Sequence, residues 1–180
     1  MDKILDFSKK IIKEKIKHAS VSIDATLGRG NDSLFLSSIS DKVYAFDIQK
    51  EAIESSNELF KKANINNVQT ILDSHEHVDE YVNNCDIAMF NLGYLPKGDK
   101  SIVTKVDTTL IAIKKIISML NLNGIISIIF YPGCPSGNEE SKIIGEYLKS
   151  INQKEFDVIK YEFVNQINNP PYVVMIERIK

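Results

Sequence analysis

The chain is expected to fold as an α/β protein, with helices on both faces of a seven-stranded, mostly parallel sheet whose last strand runs antiparallel. Two observations carry that expectation. Short apolar runs alternate with stretches of helical periodicity from residue 20 to residue 150. The runs over 156–164 and 172–179 then leave no room for a helix between them, so they should pair antiparallel.

In order, Ile4, Leu5, Ile11, Ile12 and Ile16 recur at mostly helical spacing and predict an amphipathic helix over 2–17. A strand follows over 20–24, then a helix over 31–38 that Asn31 or Asp32 would cap. The second strand is expected over 42–47 with a helix over 49–62, and the third over 68–72 with a short helix over 76–82. The fourth strand, 85–90, opens into a turn-rich loop over 91–103 and a long helix over 104–120, which Asn123-Gly124 should stop. The continuous apolar run 125–131 must be a central strand, followed by a loop over 132–137 and a helix over 139–150. With the terminal antiparallel pair, this order fits the Rossmann-like sheet of class I methyltransferases better than a dehydrogenase sheet.

Length allows one domain over 1–180 with a sizeable core (180 residues, 20.4 kDa). No apolar run approaches the roughly 18 residues that span a bilayer. The first twenty residues alternate charge with Ile and Leu, unlike a signal peptide. Cys85 and Cys134 stand far apart without metal-ligand spacing, so a reducing, cytoplasmic setting is expected. Net charge is −2, yet Lys3, Lys9, Lys10, Lys13, Lys15 and Lys17 cluster near the start, and Lys97, Lys100 and Lys105 form a second group. These read either as solvated faces or as local phosphate contacts. An apolar helix face left over in such a domain would favour a homodimer.

In open α/β sheets, ligands bind beyond the carboxyl ends of the strands. Gly28 and Gly30 follow the first strand, where missing side chains let backbone N–H groups approach a ligand. Asp47 ends the second strand, about 20 residues on, where a carboxylate accepts ribose hydroxyls of NAD or of S-adenosylmethionine. Asp24, before the glycine turn, would face a pyrophosphate unfavourably and suits a methionine ammonium, which favours S-adenosylmethionine. His75 and His77 flank Glu76 where adenine lies in such folds; no third ligand stands nearby, so no metal is expected. Asn91-Leu92-Gly93-Tyr94-Leu95-Pro96 follows the fourth strand and resembles the Asn-Pro-Pro-Tyr turn of methyltransferases acting on exocyclic amines. An attacking nitrogen needs acceptors for its N–H groups, here the Asn91 carbonyl and a backbone carbonyl, and a ring such as Tyr94 to stack on a flat base. Lys100 and Ser101 could bind a phosphate, and Asp99 could take a proton. Tyr131 to Cys134 lie beside the same cleft, and Asn165, Gln166 and Asn168 sit in a stiff amide-rich connector that suits base or ribose recognition.

The segments Asp24-Ala25-Thr26-x-Gly28-x-Gly30, 44–49, 90–102 and Asn165-Gln166-x-Asn168-x-Pro170-Pro171 together resemble the MnmM/YtqB-like methyltransferases, over essentially the whole chain. The resemblance implies methylation, with S-adenosylmethionine, of the aminomethyl group of 5-aminomethyl-(2-thio)uridine at the wobble position of tRNA, the anticodon arm being the partner. It extends the cofactor set to Thr26, Asn31, Gln49 and Asn91, beside His75 from its place after the third strand. The family usually carries histidine where Asn31 and Cys134 stand, so any proton relay through those positions would differ here. Other readings are an N-methyltransferase for rRNA or a small amine, a non-catalytic nucleotide- or RNA-binding module, and an NAD-dependent oxidoreductase.

Overall fold

The structure, a computed structural model, describes residues 3–93 and 104–180. Tyr94, Asp99, Lys100 and Ser101 lie outside the described residues. The elements run α1 (Ile4–Lys15), β1 (Ala19–Asp24), α2 (Asn31–Ser37), β2 (Ser40–Asp47), α3 (Lys50–Lys62), β3 (Val68–Leu72), a 3-10 turn (His75–Glu80), β4 (Cys85–Asn91), α4 (Val106–Met119), β5 (Leu120–Phe130), α5 (Pro135–Lys149), β6 (Phe156–Tyr161) and β7 (Tyr172–Arg178). The strands form one sheet in the order β3-β2-β1-β4-β5-β7-β6. Strands β1 to β5 are mutually parallel, and β7 is antiparallel to both neighbours, β5 and β6.

Strand pleating sends alternate side chains to opposite faces. Along β5, Ile126, Ile128 and Phe130 join Phe90, Ile113, Ile116 and Ile144 under α4 and α5. Ile125 and Ile129 join Ile87, Met89, Ile4, Ile12 and Leu36 under α1 and α2. Burial on both faces is why β4 and β5 read as nearly unbroken apolar runs, interrupted in β5 by Ser127. Helix α1 is docked firmly: Ser8 and Ser127 share a buried 2.6 Å hydroxyl contact, Phe7 stacks on Tyr161 at 3.8 Å, and Lys15 pairs with Glu177.

Three local expectations need correction. Asn123-Gly124 does not end the preceding helix; both residues lie inside β5, which starts at Leu120. Pairing with β4 jumps from Cys85↔Leu120 to Ile87↔Ile125, so the extra residues bulge out. Asn123 takes φ 63°, and a Cβ on Gly124 would come 2.8 Å from the Asn121 carbonyl oxygen, so the bulge needs both residues. Neither Asn31 nor Asp32 caps α2: the N-cap is Gly30 at φ 79°, with no side-chain cap bond. Helix α5 begins at Pro135, with Cys134 as its N-cap, because proline's fixed φ suits a first helical turn.

Candidate active site

The carboxyl ends of β1, β2, β3, β4 and β5 open on one cleft of about 1280 Å³, closed on other sides by α1, the start of α5 and the β6–β7 connector. Its walls are built by the chain's own hydrogen bonds. Asp47 lies at the end of β2, with Oδ2 accepting the Gly28 N–H at 2.9 Å and Oδ1 accepting the Gln49 N–H at 2.9 Å. Partial burial holds its carboxyl above the usual carboxylate range, and the Gln49 and Gly28 N–H donors oppose that shift. The Gly28 N–H is therefore engaged by protein rather than presented to a ligand. Gly30 donates to the Leu27 carbonyl at 2.8 Å, and a Cβ there would meet Phe60 and Ser56 at 3.0 Å. Both glycines shape the turn (φ 50° and 79°) and let it pack on α3.

Asp24 stands behind the cleft wall rather than in it. Its fully buried carboxyl accepts the Ser33 hydroxyl at 2.6 Å and the Thr26 N–H at 3.2 Å. Burial, then the neighbouring Asp32 charge, push this carboxyl up to about 7. Between pH 4 and 7 the unfolded carboxyl is ionised while the folded one keeps its proton, so this group makes stability fall as pH rises through that window. Asp24→Asn should flatten that part of the slope, by about 1.4 kcal/mol for each unit of pKa shift removed. Denaturant titrations of both proteins at a series of pH values check this; parallel curves would refute the assignment.

Thr26 joins the two functional turns, its Oγ1 accepting the Asn91 N–H at 2.7 Å. Asn31, exposed in the first turn of α2, lines the same wall. At the end of β3, His75 Nδ1 donates to the Ala25 carbonyl at 2.9 Å, and burial holds the ring below the usual histidine range, hence neutral. That leaves His75 Nε2 as a buried acceptor without a partner, as is Gln49 Oε1. His77 turns away to Asp73 at 2.9 Å, so the two histidines do not converge.

Across the cleft, the Asn91 side chain is 3.5 Å from Asp32 Oδ2 and hydrogen-bonded to the Tyr131 hydroxyl. Burial and the Asp32 charge hold the Tyr131 phenol above its usual range. Asp32 pairs with Lys9 at 2.7 Å. Asn168 and Asn169, at φ 66° and 47°, bring the connector to the cleft edge, whereas Asn165 and Gln166 are exposed and do not line it. Cys134 is exposed, with Sγ 3.6 Å from Ser136 Oγ and 3.9 Å from the Tyr131 carbonyl oxygen.

Sequence reading passed over Asp32 and Glu140. Glu140, only 3 % exposed, accepts the hydroxyls of Thr104 at 3.0 Å and Thr109 at 3.1 Å, and burial holds its carboxyl above the usual range. Thr104 in turn exchanges hydrogen bonds with Gly93 (2.9 and 3.1 Å), tying the start of α4 to the end of the Asn91 turn. A signal was present in spacing: Asp32 stands four residues from buried Leu36, and Glu140 four from buried Ile144, each acid on an apolar stripe.

Fold and cleft together define a class I methyltransferase. The family model described as "Putative rRNA methylase" matches residues 43–177, and the chain belongs to that family. The chain is 39% identical to an rRNA methylase of that description from Clostridium thermocellum (TM-score 0.96, 99% of both chains covered). It is 40% identical to a Streptococcus mutans methyltransferase solved in complex with SAH (TM-score 0.92, 99% of both chains). A curated relative from Arabidopsis thaliana, the chloroplastic tRNA (mnm(5)s(2)U34)-methyltransferase, is 35% identical over 178 residues. That match covers 91% of this chain and 65% of the relative.

Proposed function

We propose that the protein methylates tRNA, using S-adenosylmethionine to convert 5-aminomethyl-(2-thio)uridine at wobble position 34 to its 5-methylaminomethyl form. The observation that carries this reading is the placement of Asn91, with Asp32 and Tyr131 beside it, facing the Asp47 wall across one cleft. An amine entering there meets acceptors for its N–H groups, and the curated relative's name gives the matching chemistry.

The cleft fits the cofactor. Asp47, with each oxygen accepting one N–H, has lone pairs left for ribose hydroxyls. The unpartnered acceptor His75 Nε2 suits an adenine amine, and Ile48, 59% exposed, offers an apolar surface to its ring. Thr26 and Asn31 face the methionine end, with Gln49 next to the ribose and Asp24 fixing the turn from behind. When bound, the cofactor supplies an activated methyl group; the protein aligns the nitrogen with it and excludes water. In this reading Tyr94 is the residue to stack on the uridine, Asp99 to serve the amine, and Lys100 and Ser101 to take a backbone phosphate, with Tyr131, Cys134 and Asn168 along the substrate side. Lys9 and Lys15 pair with Asp32 and Glu177, so these two lysines of α1 are engaged within the protein. Cys85 and Cys134, both free thiols, suit a reducing cytoplasm.

Nucleoside mass spectrometry of tRNA from a deletion strain should show the aminomethyl nucleoside accumulating, and the purified protein with S-adenosylmethionine should convert it. No accumulation would refute the substrate. Lys100→Glu should weaken tRNA binding roughly tenfold at low salt, because one phosphate contact becomes repulsive. Calorimetry should find S-adenosylmethionine affinity unchanged; a loss there would move Lys100 to the cofactor side.

A further inference from the structure

A buried carboxylate that lines a ligand cleft must answer to some positive charge. Asp32 is 6% exposed and sits where the cleft wall from β1 meets the Asn91 turn. Its Oδ2 is 3.5 Å from the Asn91 amide, and its Oδ1 is 2.7 Å from Lys9 Nζ. Lys9 reaches in from α1, a quarter exposed, and its ammonium also lies 5.5 Å from the centre of the Phe35 ring. A lysine side chain ends in a primary alkylammonium. That is the chemical class of an aminomethyl substituent at neutral pH.

We infer that Asp32 is the substrate-ammonium site, and that Lys9 holds it as an internal likeness of the substrate which the incoming aminomethyl group displaces. The inference deepens the amine-methylating reading above and rests on it for the identity of the natural substrate. The charge balance gives Asp32 its role. The amine enters as R–CH2–NH3+, releases one proton to water at the cleft mouth and attacks as R–CH2–NH2. Its lone pair forms the new N–C bond, the C–S bond breaks, and that electron pair stays on sulfur as a neutral thioether. Positive charge thus moves from sulfur to nitrogen, and the product is R–CH2–NH2+–CH3. Asp32 faces that nitrogen before and after transfer, and its charge lowers the energy of the step in which the nitrogen becomes cationic. Lys9 compensates the Asp32 charge until then, which avoids an unpaired buried charge in the free protein. Neither Cys134 nor Asn31 is needed for this role, so it does not depend on histidine at those two positions.

The test has two arms. In the first, ethylammonium is titrated by NMR into the wild type, Lys9→Met and the Lys9→Met/Asp32→Asn double variant, each saturated with S-adenosylhomocysteine. Emptying the Asp32 site should make Lys9→Met bind the probe about tenfold more tightly than the wild type, and the double variant should lose that gain. Equal binding by Lys9→Met and the double variant would overturn the inference, whatever the natural substrate. In the second arm, Asp32→Asn is expected to slow methylation of aminomethyl-uridine tRNA about a hundredfold with cofactor affinity retained; a rate within about twofold of wild type would overturn the catalytic role. If the wild type binds ethylammonium through Asp32 yet leaves that tRNA unmethylated, the tRNA reading fails and the ammonium site stands.

Discussion

Asn91→Ala should lower methyl transfer by about a hundredfold or more, while S-adenosylmethionine affinity stays within about twofold. A misplacement of a reacting group by about 1 Å already costs on that order, and this substitution removes the side chain to which the proposed reaction assigns the amine. The Asn91 N–H bond to Thr26 is a main-chain contact and survives, so the cofactor wall keeps its shape. Single-turnover rates alongside calorimetry separate the two quantities. A parallel loss of both would mean that Asn91 serves chiefly the cofactor, and an unchanged rate would move the nucleophile's acceptors elsewhere.

Gly137→Ala should be the most damaging single methyl group in the described fold. A Cβ at this position would collide with the Tyr131 carbonyl oxygen and stand 3.2 Å from Cys134 Sγ. Alanine favours helix interiors elsewhere, but here backbone must move against backbone. Overpacking of this kind costs about 1–3 kcal/mol, and its displacement falls on Tyr131, which holds Asn91. Thermal unfolding should show a lower midpoint, and the folded variant should methylate more slowly at saturating cofactor. A stable, fully active variant would mean that the α5 start slides without disturbing Tyr131.

The strands were legible because burial on both faces leaves their middles almost wholly apolar, as in 87–90 and, Ser127 apart, in 125–130. The cleft edge at β1 and β2 was legible for a related reason: Gly28, Gly30 and Asp47 mark a turn and a strand end that few other arrangements require. What could not be read was the internal use of polar groups. Asn123-Gly124 carries the same left-handed preference whether it ends a helix or forms a bulge, and only pairing with β4 decides between them. Asp24 has the composition of a ligand contact, yet Ser33, nine residues on, claims its carboxylate through a turn whose geometry no spacing rule gives. Acids such as Asp32 and Glu140 usually face solvent, and the residues that draw them inward, Lys9, Thr104 and Thr109, are remote in sequence.

The strand order has a consequence for the birth of the molecule. Among the described residues, strand β6 pairs only with β7, and β7 is made after it yet slots between β6 and β5. While the ribosome is still adding the residues after Tyr161, the segment that will become β6 has nothing to zip onto, and β5 offers an open apolar edge to any passing chain. A premature stop before Tyr172 would therefore cost the sheet two strands rather than one and leave that edge permanently uncovered. Nascent-chain proteolysis should show protection of 156–161 arriving only once 172–178 has cleared the exit tunnel.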